Sequence, residues 1–443
     1  MSKLKRFTDS LPLLMALSSC LRHVCQNVGH PLRIKQVFSG LASDKVCGLT
    51  TKKNGHDKSW KTQHRKISSH LDPDLSWEES LSDMVTPLWR IGYEEQLKRK
   101  FVEQKNVLQK LASQLKELSK NQVEITQTPE ELCCTLHPIV PSCYEEMIHQ
   151  SPLNSCLMFY DGGHWREIIV RTNRESHTMA IITFHPQKLS QEELYVQKEA
   201  VKEYFTRGPG AECNLTSLYF QESSMTRCTH EQSPYQLLFG EPHIYEEILG
   251  LKFRISPDAF FQINTAGAEV LYRTVQELIQ VEGNMVLFDI CCGTGAIGLS
   301  VAHQVSRVFG IELVEQAIND AKWNASFNGI SNCQFYSGKA EVILPQLLSS
   351  LEEERSLTAI VNPSRAGLHY RVVRAVRNCK LIRTLVYVSC KPDGEAMRNF
   401  IELCCPPNTQ KKLFGEPFAL MHAIPVDLFP HTSHCELVLL FKR

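Results

Sequence analysis

An α/β fold with a doubly wound parallel sheet is the class that this 443-residue sequence predicts for its C-terminal half. Residues 285–288 form a short apolar run, typical of a buried strand, which leads into a glycine-rich loop and then a helix-like run at 299–303. From residue 285 onwards, strand-like and helix-like segments alternate, as in βαβ units. Polar residues also stand where several of these strands end. Together these observations predict an open sheet with a site at one edge.

The glycine-rich loop, residues 289–298, is the first candidate site. Its glycines allow a tight turn at positive φ and a close approach of a ligand to the backbone. Glu312, about twenty residues further on, ends the strand predicted at 307–312 and suits the hydroxyls of a ribose. Asp289 opens the loop and would repel a pyrophosphate, which favours a cofactor without phosphates. Asp289, Gly293, Gly295 and Glu312 are thus candidate cofactor residues, although NAD enzymes carry similar loops and a purely structural turn is the alternative.

Composition excludes several classes of protein. The formal net charge is zero, so a nucleic-acid surface would have to be a local patch. The 17 cysteines include no C-x-x-C pair, which argues against a zinc ribbon or an iron–sulfur cluster. Reduced thiols in a reducing compartment are the simpler interpretation. No apolar run reaches the length of a membrane span. We therefore expect neither a metal nor a membrane partner.

The N-terminal segment, residues 1–70, differs in composition from the remainder. It is basic and rich in Ser, with only Asp9, Asp44 and Asp57 as acids. This pattern is typical of a mitochondrial transit peptide and predicts a matrix location; a disordered linker is the alternative. A secretory signal is less favoured, because basic residues continue downstream and a candidate thiol nucleophile follows.

Three further segments are predicted. Residues 71–150 form an N-terminal helical region, with one helix at 97–118 whose Lys-rich remaining face, including Lys100, is expected to lie in solvent or, alternatively, to face RNA. Residues 151–250 form a central α+β domain, which could bind RNA, with strands at 164–170, 178–184 and 214–220 and a helix at 191–205. Residues 251–443 form the catalytic domain, which begins with a helix at 266–279 preceded by the polar Gln262.

A second group of candidate site residues lies at the ends of later strands. The strand at 357–361 ends at Asn362 and the strand at 385–390 ends at Cys390, so both should share the rim of the glycine loop and Glu312. A thiol there could be a nucleophile, although a free cysteine is more often a small buried hydrophobe. Position alone leaves both interpretations open. Glu436 begins the terminal apolar strand, and spacing alone favours a solvent-facing carboxylate beside His434.

Ordered motifs then identify a resemblance. They are Phe-Phe-Gln-Ile-Asn (260–264), the loop 289–298, Gly-Ile-Glu (310–312), Asn-Pro-x-Arg-x-Gly-Leu (362–368), Val-Ser-Cys (388–390) and His-x-x-His-x-Glu (431–436). From about residue 86 to the C-terminus, the chain resembles the RNA (uracil-5-)-methyltransferase family. The resemblance implies a class I S-adenosylmethionine-dependent methyltransferase fold. It also implies methylation of uridine C5 in the T-loop of tRNA, in mitochondrial rRNA or in both, giving 5-methyluridine.

The resemblance assigns roles to particular residues. Cys390 would add to C6 of the uracil, and Glu436 would accept the C5 proton. Gln262, Glu312 and Asn362 would contact the cofactor or the base. The target uridine would have to leave its stack to reach the pocket.

The chain departs from the family pattern in two places. Asn362 stands where most relatives carry Asp. Its amide can still form hydrogen bonds, but the negative charge of the aspartate is absent. A stretch containing Arg-Asn-Lys is absent near residues 141–144, which predicts an internal deletion and an incomplete central domain. The missing stretch leaves open a catalytically impaired shortened form that binds the cofactor without productive RNA binding. A cytosine-C5 RNA methyltransferase, which would also use a Cys at C6, is the other alternative, although Glu436 and the Gln-Ile-Asn motif favour uracil.

Overall fold

The computed structural model describes residues 87–115, 124–125, 139–156, 163–224, 233–280, 284–351 and 357–443. The predicted transit segment at 1–70 lies outside these residues. The helices are α1 (Tyr93–Leu115), α2 (Ile139–Gln150), α3 (Gln191–Thr206), α4 (Thr265–Ile279), α5 (Ala296–Val301), α6 (Glu315–Phe327), α7 (Ala340–Ser349), α8 (Tyr370–Asn378) and α9 (Met397–Cys404).

The strands fall into three sheets. They are β1 (Glu124–Ile125), β2 (Trp165–Thr172), β3 (Thr178–Phe184), β4 (Ser217–Glu222), β5 (Tyr235–Gly240), β6 (Ile244–Ile248), β7 (Leu251–Ile255), β8 (Val286–Ile290), β9 (Arg307–Glu312), β10 (Cys333–Ser337), β11 (Leu357–Val361), β12 (Ile382–Ser389), β13 (Ala419–Val426) and β14 (Glu436–Lys442).

The large sheet has eight strands in the order β1-β13-β14-β12-β11-β8-β9-β10. Strands β8 to β12 are parallel to one another, whereas β14 runs antiparallel to both β12 and β13. From β8 the chain first moves towards β9 and β10 and then returns to β11 on the other side. This is the doubly wound arrangement that the sequence predicts, and ligands bind at such a reversal of strand order.

The two faces of this sheet are covered by separate hydrophobic clusters. All five residues of β8 are buried, and their side chains alternate between the faces. Leu287 packs in the cluster that includes α4 and α5, and Phe288 packs in the cluster that includes α8 and α9. Strands covered on both faces are continuously apolar, which explains why the sequence shows runs rather than alternation.

The small sheet has the order β2-β3-β4-β5, and α3 connects the parallel pair β3 and β4. A capping box fixes the start of α3, because Ser190 and Glu193 satisfy each other's backbone amides. The hairpin β6–β7 lies between the two sheets. Ile244 and Ile255 pack against the small sheet, whereas Phe253 packs in a core cluster of the large one.

The two N-terminal helices pack in different places. Leu108, Leu111 and Leu115 of α1 lie in a core cluster of the large sheet. Tyr144 of α2 lies in the core of the small sheet. Lys100 was expected on a solvated or RNA-facing surface of α1, and this prediction is wrong: its side chain is only 3% exposed, because it forms an ion pair inside the protein. None of the helices among the described residues combines the length and the hydropathy that a membrane span requires.

Candidate active site

The candidate site lies along the rim formed by the carboxyl ends of β9, β8, β11 and β12. Parallel strands bring their last residues to one edge, so Glu312, the glycine loop, Asn362 and Cys390 all stand on this rim. The antiparallel strand β14 contributes its first residue instead of its last, and that residue is Glu436. All the sequence-predicted rim residues are therefore brought to the same edge.

The glycine loop turns directly after β8. Gly293 and Gly295 have φ values of +55° and +79°, which favour glycine. A Cβ on Gly295 would lie 3.0 Å from the ring of Phe335, so this glycine also permits close packing. A Cβ on Gly293 would meet only the Phe260 carbonyl oxygen, at 3.8 Å. Gly293 therefore borders open space, and the segment that carries Gln262 passes beside it.

Asp289 lies behind the loop and not on its outer surface. Its side chain is fully buried, and its Oδ2 accepts a hydrogen bond of 2.9 Å from the Gly298 amide. Burial raises the pKa of this carboxyl to about 7, while the bond from Gly298 opposes the shift. The contact ties the end of β8 to the beginning of α5. In this geometry Asp289 supports the loop from within.

Glu312 closes the opposite side of the loop. Its Oε2 accepts a hydrogen bond of 3.1 Å from Gly293 N, and its Oε1 accepts one of 2.7 Å from Leu313 N. The carboxylate thus lies directly beside the open Gly293 backbone. Gln262 is 9% exposed, and Asn264 caps α4 by accepting a 3.0 Å hydrogen bond from Gly267 N. This cap fixes the direction in which the 260–264 segment leaves the helix.

Asn362 begins the loop that follows β11. Its backbone amide donates to the Ile290 carbonyl over 3.2 Å, which holds it next to the end of β8. The remainder of the loop is anchored by Asn399, whose side chain accepts from Leu368 N at 2.7 Å and donates to Leu368 O at 3.0 Å. Tyr387 of β12 donates a further 3.0 Å hydrogen bond to Asn399. These buried contacts fix the loop that also carries Arg365.

Cys390 and Glu436 are brought together by the pairing of β12 with β14. Ser389 is the register partner of Leu437, so the residues one step further, Cys390 and Glu436, are neighbours at the rim. Glu436 is only 5% exposed, so the solvent-facing interpretation of this carboxylate is wrong. Cys390 is partly buried against the core.

Burial and mutual proximity shift the proton affinity of both groups. Burial raises the pKa of Glu436 to about 8, and Arg365 opposes this shift. Burial, with a smaller contribution from Glu436, raises the pKa of Cys390 to about 12. Arg365 opposes that shift through its charge and through a hydrogen bond with the thiol. A single guanidinium thus favours the ionised form of both groups.

Arg365 is the site residue to which the sequence reasoning assigned no role. Arg365 belongs to the motif at 362–368, but nothing in the residues around it predicts that its side chain lies near Cys390. Its Nε is buried without a hydrogen-bond partner. No group of three or more His, Cys, Asp or Glu side chains suited to a metal ion occurs among the described residues.

Sequence comparison with known proteins shows the family to which this chain belongs. A sequence profile described as tRNA (uracil-5-)-methyltransferase matches residues 246–443. The chain is 58% identical over 440 residues to tRNA (uracil-5-)-methyltransferase homolog B of Homo sapiens, covering 86% of this chain and 87% of that protein. Homolog B of Danio rerio is 52% identical over 445 residues, covering 88% and 92%. The chain belongs to the tRNA (uracil-5-)-methyltransferase family. It is therefore a methyltransferase, and the family resemblance read from the sequence motifs is confirmed.

A solved structure supports the fold of this methyltransferase. The tRNA (uracil-54, C5)-methyltransferase of Pyrococcus abyssi, crystallised with S-adenosyl-L-homocysteine, is similar with a TM-score of 0.53 and 21% identity. The match covers 80% of this chain and 85% of that one. With the doubly wound sheet, it confirms the class I methyltransferase fold.

The alignments also bear on the expected internal deletion. The match to the human relative extends over 440 residues, although it covers only 86% of this 443-residue methyltransferase. The human relative therefore carries residues within the aligned region that have no counterpart here. This agrees with the prediction that the chain is shortened within the aligned region.

Proposed function

We propose that this methyltransferase transfers a methyl group from S-adenosylmethionine to C5 of a uridine in RNA, with Cys390 as nucleophile and Glu436 as proton acceptor. The observation that carries the proposal is the pairing of Ser389 with Leu437, which sets a thiol and a buried carboxylate side by side at the rim. Both groups also lie near Arg365, which favours their ionised forms.

The residues at the glycine loop fit the proposed cofactor. A side chain at Gly293 would enter open space beside the Phe260 carbonyl, and the Glu312 carboxylate accepts from the Gly293 amide. Gly293 and Gly295 would allow close approach, Glu312 would accept from ribose hydroxyls, and Gln262 would line the same cleft. We assign Asp289 a supporting role, because its side chain is fully buried and its Oδ2 accepts from Gly298 N. Asn362, held beside Ile290, would contact the cofactor or the base.

The bound cofactor supplies an electrophilic methyl group; the protein supplies the remaining chemistry. The thiolate of Cys390 adds to C6 of the uracil, which makes C5 nucleophilic. After C5 has taken the methyl group, Glu436 accepts the C5 proton. The electron pair of that C–H bond restores the C5–C6 double bond, and Cys390 leaves as a thiolate. Arg365 stabilises the anionic forms of both residues in a site that largely excludes water.

An exposed aromatic and basic ridge supports an RNA substrate. Tyr370 begins α8 directly after the rim loop and is 43% exposed. The guanidinium of Arg374 lies 5.0 Å, and that of Arg371 5.9 Å, from the centre of its ring. Neither arginine forms an ion pair with a carboxylate among the described residues. Stacking on an aromatic ring flanked by cations is a common way to bind unpaired nucleotides.

Finer points of the proposal rest on the sequence. We propose tRNA, with mitochondrial rRNA as a second candidate, and a mitochondrial matrix location that follows from the basic segment at 1–70. We also propose the division into segments 1–70, 71–150, 151–250 and 251–443, in which the central unit contributes to RNA binding together with the ridge at Tyr370. Import of a fusion of residues 1–70 to a fluorescent protein would test the location, and a cytosolic fusion would contradict it.

One assay separates the competing functions. The purified chain is incubated with unmodified tRNA or rRNA and methyl-labelled S-adenosylmethionine, and the nucleosides are then analysed. Label in 5-methyluridine supports the proposal. Label in 5-methylcytidine supports a cytosine methyltransferase. Cofactor binding without label in either nucleoside supports the shortened, impaired form.

A further inference from the structure

A buried ion pair joins the first helix to the loop that precedes Glu436. Lys100 Nζ of α1 lies 2.7 Å from Asp427 Oδ1, and the two side chains are 3% and 4% exposed. Lys100 also donates to the Phe429 carbonyl over 2.8 Å, and Tyr93 donates to Asp427 Oδ2 over 3.1 Å. Removing two charges from water offsets much of the attraction between them, so such a pair adds little stability. We therefore interpret the pair as fixing the position of the loop relative to α1.

A second contact holds the same loop a few residues further on. Gln96, 1% exposed, accepts a 2.9 Å hydrogen bond from His431 N through its Oε1, and its Nε2 lies 3.0 Å from His431 Nδ1. The His431 carbonyl accepts from Leu88 N at 3.1 Å. His431 has φ +64°, which is unfavourable for a residue with a side chain. Its backbone and its ring are thus both held by the segment 88–96.

The held loop leads directly to the proposed base. It leaves β13 at Val426 and returns at Glu436, and these two residues are register partners. Within it, Thr432 donates to the Phe429 carbonyl and accepts from His434 N, so its two halves are connected. Leu108, Leu111 and Leu115 fix α1 against the large sheet. A rigid helix is therefore coupled through Lys100 and Gln96 to the loop that ends at Glu436.

We infer that α1 is a positioning element for Glu436, with Lys100 and Gln96 as positioning residues that set where this carboxylate meets the C5 proton. The inference rests on the proposed function. The step that it affects comes after methyl transfer, when the Cys390 Sγ–C6 bond and the new C5–methyl bond both exist. If Glu436 is displaced, the C5 proton stays in place and the Sγ–C6 bond does not break. The methylated RNA then remains covalently attached to the enzyme.

The experiment compares Lys100→Met, Lys100→Arg and Gln96→Leu with the unaltered full-length enzyme. Lys110→Met is the matched control, because Lys110 lies on the same helix, is 55% exposed and pairs only with Asp393 among described carboxylates. Methyl-labelled cofactor and tRNA are added, and the labelled RNA attached to protein is measured on a denaturing gel. Cofactor dissociation constants and Tm are measured in parallel.

We expect Lys100→Met and Gln96→Leu to retain cofactor affinity and to release product about 10²-fold more slowly, with attached RNA accumulating. Lys100→Arg should recover much of the release rate, and Lys110→Met should behave like the unaltered enzyme. If Lys100→Met does not fold, the double variant Lys100→Met/Asp427→Leu removes both charges and should restore folding without restoring release.

Two results would overturn the inference. Normal release by the folded Lys100 and Gln96 variants, with only a lower Tm, would reduce α1 to a structural role. The proposed function can fail separately: if the unaltered enzyme labels no uridine, or if Glu436→Gln accumulates no attached RNA, there is no base to position. If attached RNA accumulates with Glu436→Gln but not with Lys100→Met, the positioning role of α1 is rejected and the proposed function stands.

Discussion

Ser389 pairs with Leu437 in the antiparallel register of β12 and β14, and this pairing places the next residues, Cys390 and Glu436, together at the rim. The remaining strands around them are parallel, so an antiparallel terminal strand is what brings its first residue to the catalytic edge. The proposed chemistry depends on this reversal of direction, because a parallel strand would carry Glu436 to the opposite edge of the sheet.

Replacement of Gly293 by alanine tests the cofactor cleft. A Cβ there should obstruct the cofactor, and the positive φ should cost about 1–2 kcal/mol of folding stability. Gly329→Ala is the matched control, because Gly329 has φ +67° and open surroundings but lies in the turn after α6. We expect both variants to lose similar stability in urea unfolding. Only Gly293→Ala should weaken S-adenosylmethionine binding in calorimetry; equal binding by the two variants would place the cofactor elsewhere.

Arg365 should tune the pH dependence of the reaction. Since it opposes the raised pKa of both Cys390 and Glu436, Arg365→Gln should raise both values further. Single-turnover methylation should then be slower at pH 7.5 and should require a higher pH for the same rate. Arg365→Lys, which keeps the charge, should lie between the two. A slower rate with an unchanged pH profile would argue against this role.

Glu436→Gln should change how stability depends on pH. A carboxyl whose pKa is about 8 when folded and near its ordinary 4.5 when unfolded binds more protons in the folded state. Stability from this group is fully present below pH 4.5 and is lost as the pH rises towards 8. Each tenfold change in proton affinity corresponds to about 1.4 kcal/mol. In urea unfolding, the free energy of unfolding of Glu436→Gln should therefore rise relative to that of the unaltered enzyme between pH 5 and pH 8. A difference between the two free energies that does not change with pH would contradict this.

Tyr370→Ala should weaken RNA binding without affecting the cofactor. Loss of one stacking ring corresponds to about 1–3 kcal/mol, so KM for tRNA should rise by about 5- to 150-fold. Phe414→Ala is the control, since Phe414 is 63% exposed but lies beside Asn378 at the far end of α8. If the two variants have the same KM, the ridge does not contact RNA.

Sequence patterns predicted the local elements well. Thr178–Phe184 is a strand with the predicted bounds, and the predicted helix at 266–279 begins one residue earlier. These segments carry strong apolar runs or periodicity. The sequence reasoning did not predict β10 or β13, because β10 has no buried residue except Phe335 and β13 mixes apolar residues with His422 and Pro425.

Contacts between distant parts of the chain were harder to predict. Lys100 looked like any other lysine on a helix face, and its partner Asp427 is 327 residues away. The sequence predicts Asp289 as a cofactor residue. Its hydrogen bond from Gly298 depends on how the loop folds back, which the sequence pattern does not indicate. Burial of Glu436 follows from strand pairing and not from the residues beside it.

The most direct test of the central claim is the fate of Cys390 during turnover by the Glu436→Gln variant. With methyl-labelled cofactor and unmodified tRNA, this variant should accumulate labelled RNA bound to protein through Cys390, which peptide mass spectrometry can locate. Cys390→Ala and the double variant should form neither the attachment nor 5-methyluridine. Free 5-methyluridine made by Cys390→Ala, or RNA attached at another residue, would contradict the account.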